Sequence, residues 1–214
     1  MWARIRQLWS KGPSRQRLAV EFIALYLGIP LLIFFGTVPR LALVILMIIF
    51  IVALWRLLKD PDFPNRQLFD FSAFPTHFSN IIGRFIFVAI LLSGAVLLFQ
   101  PEDFLNLARE RPLLWMLVMI FYPLVSVYPQ EFLFRVLFFY RYRPLFSSTR
   151  MAILANMGTF AFAHIFFYNP VALLLTFFGG YLFATTYLRT GSLLLVAAEH
   201  ALYGCFVFTV GLGE

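Results

Sequence analysis

Charged residues are scarce along the chain and fall between long apolar runs. The runs cover residues 18–38, 41–58, 81–99, 113–140, 151–168, 171–188 and 192–210. Each is close to or beyond the length that crosses the hydrocarbon of a bilayer as a helix, so the pattern predicts an all-α, polytopic transmembrane helical bundle of about seven to eight helices. Pro30 is expected to kink the first run, and Arg40 is its whole polar turn. The run at 113–140 holds Pro123 and Pro129, so it reads either as one long kinked helix or as two short ones. Between residues 59 and 80, prolines at 61, 64 and 75 and phenylalanines at 63, 69, 71 and 74 predict a loop resting at the interface, with His77 solvated within it. Arg84, at the start of the next run, is placed to snorkel. Gly179-Gly180 marks a close approach of two helices.

Residues 1–17 have a different pattern: Trp2, Ile5, Leu8 and Trp9 recur at helical spacing among Arg4, Arg6, Lys11, Arg15 and Arg17. This predicts a basic amphipathic segment on the membrane surface, followed by a single transmembrane domain over 18–214 with its candidate catalytic core at 113–210. Treating 113–140 as one helix puts most of the arginine and lysine on the side of the N-terminus. That favours one long helix, seven crossings, a cytoplasmic N-terminus and residence in the plasma (inner) membrane.

Composition agrees with this reading. The chain of 214 residues is 62% hydrophobic and only 13% charged, far from a soluble domain. Its net charge of +7 sits in flanks and short loops, which suits anionic lipid headgroups as partners and not nucleic acid. A single cysteine, Cys205, excludes an internal disulfide or a multi-cysteine metal site, and reads as a small buried hydrophobe.

Candidate chemistry begins with Glu131 and Arg135, four apart inside an apolar helix, where they share a face and can pair. Counting about 1.5 Å per residue from the inner ends, Glu131 lies at about 15 Å, His164 at about 20 Å and His200 at about 12 Å. The three fall in one layer. A carboxylate and two imidazoles at one depth could hold a divalent metal such as zinc. They could instead activate water without a metal, Glu131 and His164 as bases and His200 at the oxyanion, or join the helices as a purely structural network through neighbours such as Asn156 or Tyr203.

Gln130-Glu131-x-x-x-Arg135, then Phe160-x-x-x-His164, then His200 on a later helix resembles the CPBP family of intramembrane proteases, which includes the CAAX-processing endopeptidases and the bacteriocin-processing or immunity proteins. The resemblance spans residues 128–204 and implies an intramembrane endopeptidase acting on a peptide or membrane-anchored protein. It implies that His164 activates water, that His200 supports the oxyanion, and that Arg135 and Phe160 assist. Gln130 stands where the family has its first glutamate, and Gly204 where it has an asparagine. Glu131, the family's second glutamate, would take over the base only if the helix turned by about the 100° between neighbours. Glu199, beside His200, is a further candidate carboxylate. The alternative is a catalytically degenerate member that binds membrane peptides as an immunity or scaffold protein.

Overall fold

The structure, a computed structural model, describes residues 13–36 and 41–213. Most of the amphipathic segment expected at 1–17, and the turn at Arg40, lie outside the described residues. Among those described, every regular element is helical and six helices are long and apolar enough to cross a membrane. They are α1 (Arg15–Phe35), α3 (Phe74–Phe99), α4 (Pro112–Leu145), α5 (Thr149–Phe162, extended by a 3₁₀ turn Ile165–Phe167), α6 (Pro170–Thr190) and α7 (Leu193–Val210). A seventh apolar helix, α2 (Ala42–Leu58), has 17 residues, about 25 Å of helix against a core of about 30 Å.

Prolines set the irregularities. Pro30 cannot donate to the helical ladder, and the turn before it, Ala24–Gly28, is widened to π geometry. In α4 a π turn begins at Pro123, and after Pro129 a longer π stretch runs from Phe132 to Tyr142. The helix nevertheless continues from Pro112 to Leu145, so the run with two prolines is one element, as the charge distribution favoured. Ser148, Asn169 and Ser192 each accept backbone N–H groups at the start of α5, α6 and α7, so even the short connections between these helices are capped.

Two expectations about α3 are corrected. The loop expected to reach residue 80 stops before Phe74, because Pro75 occupies the first turn of the helix, where its missing N–H is not needed. His77 therefore lies in the first turn of α3, half-buried, with its N–H donated to the Ala73 carbonyl at 3.1 Å. Arg84, in turn, is ten residues into the helix, about 15 Å from its start. It crosses to Glu199 on α7, Nη2 to Oε1 at 2.9 Å. Cys205 is a free thiol, half-buried in α7.

An aromatic cluster locks α1 onto α4. Tyr26, 1% exposed, meets Phe134, Phe138 and Tyr142 edge-on at 5.2, 5.4 and 5.6 Å. Such pairs contribute about 0.5–1.5 kcal/mol each beyond their buried area. Its hydroxyl donates to the Leu133 carbonyl at 2.7 Å, inside the π stretch where the ladder is loosened. Where α1 begins and α4 ends, Arg141 of α4 donates from Nε to Glu21 of α1 at 3.0 Å. The loop before α3 closes over the same end: Phe63 and Leu68 are buried, Tyr140 donates to Asp60 at 2.9 Å, and Ser192 donates to the Asp70 carbonyl at 2.6 Å. Phe69 and Phe71 remain exposed, in keeping with a loop at the interface. Of the two adjacent glycines, Gly180 makes the close helix approach: a Cβ there would lie 3.1 Å from the Met157 Cα of α5.

Candidate active site

α4, α5, α6 and α7 converge on a cluster with no exposed surface at its centre. Arg135 is fully buried, and a guanidinium stays protonated in a protein, so its charge must be answered locally. Nε lies 3.0 Å from Glu131 Oε2, and Nη1 donates to Asn156 Oδ1. Asn156 is held in turn, its Nδ2 donating to the Phe134 carbonyl at 2.5 Å. The guanidinium carbon lies 4.7 Å from the centre of the Phe160 ring, a cation–π contact that suits a dry site. Residues 156, 160 and 164 thus form one stripe of α5 and its extension, spaced by four, facing the arginine and the cavity beyond it.

Glu131 carries the network to α7. Its Oε1 accepts from Nδ1 of His200 at 2.9 Å. A carboxylate held by a guanidinium has no hydrogen to give, so the ring carries one on Nδ1, which leaves its second nitrogen, Nε2. That nitrogen faces the Tyr122 hydroxyl at 3.2 Å. The ring lies flat on Phe183, centroids 4.6 Å apart, which fixes its plane.

His164 is oriented by a different device. α5 breaks at Phe162, and in the following turn the imidazole Nδ1 donates to the Phe160 carbonyl at 2.7 Å. A carbonyl has no hydrogen to give, so the neutral ring presents a basic Nε2. Tyr168 closes the turn in the left-handed conformation, φ 54°, and anchors it to α1 through its hydroxyl on the Phe34 carbonyl at 2.8 Å.

Beside the cluster lies a cavity of about 600 Å³, apolar on most of its wall. Its polar lining includes Gln130, Ser126, Tyr122, His164 and His200, with Phe160 and Gly204 between them. Neither Glu131 nor Arg135 reaches this wall; they stand behind His200. Gln130 does face it, its Nε2 donating to Ser126 Oγ at 2.7 Å while Oε1 has no protein partner. The turn of about 100° that would bring Glu131 into Gln130's place is not made. Glu199 points away to Arg84, off the cavity wall.

The donors do not suit a zinc ion. Both Glu131 oxygens are engaged by Arg135 and His200, each Nδ1 is committed, and among the described residues no three His, Cys, Asp or Glu side chains gather as a metal set. A structural network of the expected kind is also present, but with other partners: Asn156 serves Arg135, and the histidines bind Phe160, Glu131 and Tyr122. Tyr122 had no motif to point to it. The available signal was Gly204, four residues after His200 on the same face, where a missing side chain leaves room for a large one opposite.

Residues 112–206 match the family model for the type II CAAX prenyl endopeptidases, Rce1-like. The matched stretch carries Tyr122, Glu131, Arg135, His164, His200 and Gly204. No curated protein and no solved structure matches the chain.

Proposed function

We propose that the protein is an intramembrane peptide hydrolase of the CAAX-protease, or CPBP, type, acting on a peptide or membrane-anchored protein that enters the cavity. The observation that carries this reading is the imidazole of His164, held by the Phe160 carbonyl so that its basic Nε2 meets the cavity. Gln130 cannot take a proton, which leaves a hydrogen of the attacking water to His164. In this scheme His164 removes that proton as the water oxygen bonds to the peptide carbonyl carbon, and the carbonyl electron pair moves onto oxygen. The same proton then passes from His164 to the departing amine as the C–N bond breaks, leaving a carboxylic acid and an amine. Glu131 and Arg135 act behind the wall, holding His200 in place next to the developing charge. The apolar lining suits a substrate with a hydrocarbon or aromatic end.

The test is cleavage by the purified protein in liposomes, using peptides with and without a lipidated C-terminal cysteine. Wild type is expected to cut, and His164→Ala to lose about 10²–10⁴-fold, the range for a general base. Gln130→Glu is expected to raise the rate by adding a carboxylate on the wall. Cleavage by Gln130→Glu alone, with none by wild type, would refute a native hydrolase. Because Gln130 puts an amide on the wall, a second reading is a protein that binds such peptides without cutting them. It predicts that His164→Ala retains both binding and biological activity.

A further inference from the structure

Tyr122 sits in a place made for it. A Cβ on residue 204 would fall within 2.5 Å of the tyrosine ring at Cε1, so the phenol occupies the space that any side chain at that position would need. Its hydroxyl reaches His200 Nε2 at 3.2 Å, and Phe208 supports the ring edge-on at 5.2 Å. The phenol lines the cavity together with His164 and Gln130. A carboxylate, an imidazole and a phenol are therefore in series: Glu131, His200, Tyr122.

We propose that the Tyr122 hydroxyl is the catalytic donor to the substrate carbonyl oxygen, and that His200 and Glu131 act on the reaction through it. The inference rests on the hydrolase reading. With His200 neutral, the phenol hydrogen is tied to Nε2. When His200 binds a proton from solvent, the Glu131 carboxylate balances the charge, and Nε2–H donates to the phenol oxygen. The phenol hydrogen is then free to swing toward the cavity, polarised by the imidazolium behind it. It meets the oxyanion as the water adds, stays on the tyrosine throughout, and is released when the carbonyl re-forms. His200 ends the cycle with the proton with which it began. The role needs an O–H at the end of a rigid ring, and the notch at Gly204 keeps that ring from turning away.

Tyr122→Phe keeps the ring in its notch and removes only the donor. It is expected to lower kcat by about 10²–10³-fold, the usual loss for one oxyanion donor, with KM within about threefold. Gly204→Asn should inactivate, because its side chain collides with the phenol. Combined with Tyr122→Ala, the asparagine amide gains the vacated space, and the double variant should be at least about tenfold faster than Tyr122→Ala. A peptide phosphinate, which carries a tetrahedral anion, supplies a readout independent of turnover. Wild type in nanodiscs should bind it more tightly than the matched amide by about tenfold or more, and Tyr122→Phe should reduce that preference to within twofold. Thermal melting checks that Tyr122→Phe is folded. Unchanged kcat in folded Tyr122→Phe overturns the proposal while leaving the hydrolase reading intact. If wild type cuts no peptide, the hydrolase reading fails, and the catalytic role of Tyr122 falls with it. A preference retained in Tyr122→Phe, or absent from wild type, overturns the phenol as donor.

Discussion

The buried pair Glu131–Arg135 gives a sharp energetic prediction. Both side chains have no exposed surface, and each is bound on its far side, Glu131 to His200 and Arg135 to Asn156. Glu131→Leu leaves a desolvated guanidinium without its counter-charge, and Arg135→Met leaves a desolvated carboxylate. Either loss from a buried pair costs about 3–5 kcal/mol. In the double variant neither charge remains, and what is lost is the acceptor for His200 Nδ1 and the donor for Asn156 Oδ1. Two such orphans cost about 1–3 kcal/mol each, so the double variant should lose about 2–6 kcal/mol, less than the about 6–10 kcal/mol expected from adding the singles. The coupling is then about 4 kcal/mol, far outside the about 0.5 kcal/mol within which independent sites add. Reversible unfolding in mixed micelles, run as a double-mutant cycle, measures it. Singles that add would show that the two charges do not depend on each other in the folded bundle, and the reading of Glu131 as the anchor of Arg135 would fall.

Two further outcomes follow from packing and exposure. Gly180→Val should destabilise by about 1–3 kcal/mol through overpacking against the Met157 backbone of α5, while Gly83→Ala in α3, where an added Cβ meets nothing within 4 Å, should be neutral or stabilise by up to about 1 kcal/mol; thermal melts of the two variants compare them directly. Arg141→Gln removes the tie to Glu21, but the two side chains are 29% and 27% exposed, so the loss should stay below about 1 kcal/mol in the same unfolding experiment and shrink further in high salt.

The spans were legible because bilayer length and charge exclusion act on every residue of a crossing helix. Their ends were less so. Pro75 reads locally as a loop residue, and only in the folded chain is it the opening of α3, which moved Arg84 from an interfacial position to a partner of Glu199. The meeting of Glu131 with His200 was foreseeable from depth alone, since both are polar groups in the same layer. Which neighbour faces the cavity was not. The α-helical turn Tyr128–Glu131 lies between two π stretches, so an ideal helix drawn along the whole run does not give the directions of Gln130 and Glu131. Tyr122 was hidden for another reason: its partner His200 is 78 positions away, and it stands in a uniformly apolar run. Asn156 was expected to bond a histidine and serves Arg135 instead, on one stripe with Phe160 and His164.

The cavity is built by two different parts of the chain. Apart from Tyr26, its polar side chains come from residues 112–206, and Leu25, Ile33, Leu46, Ile49, Val88 and Leu92 in its lining belong to α1, α2 and α3. These side chains make no hydrogen bonds and hold none of the polar groups in place. The contour of the chamber can therefore change, one aliphatic residue at a time, without moving the polar groups of residues 112–206.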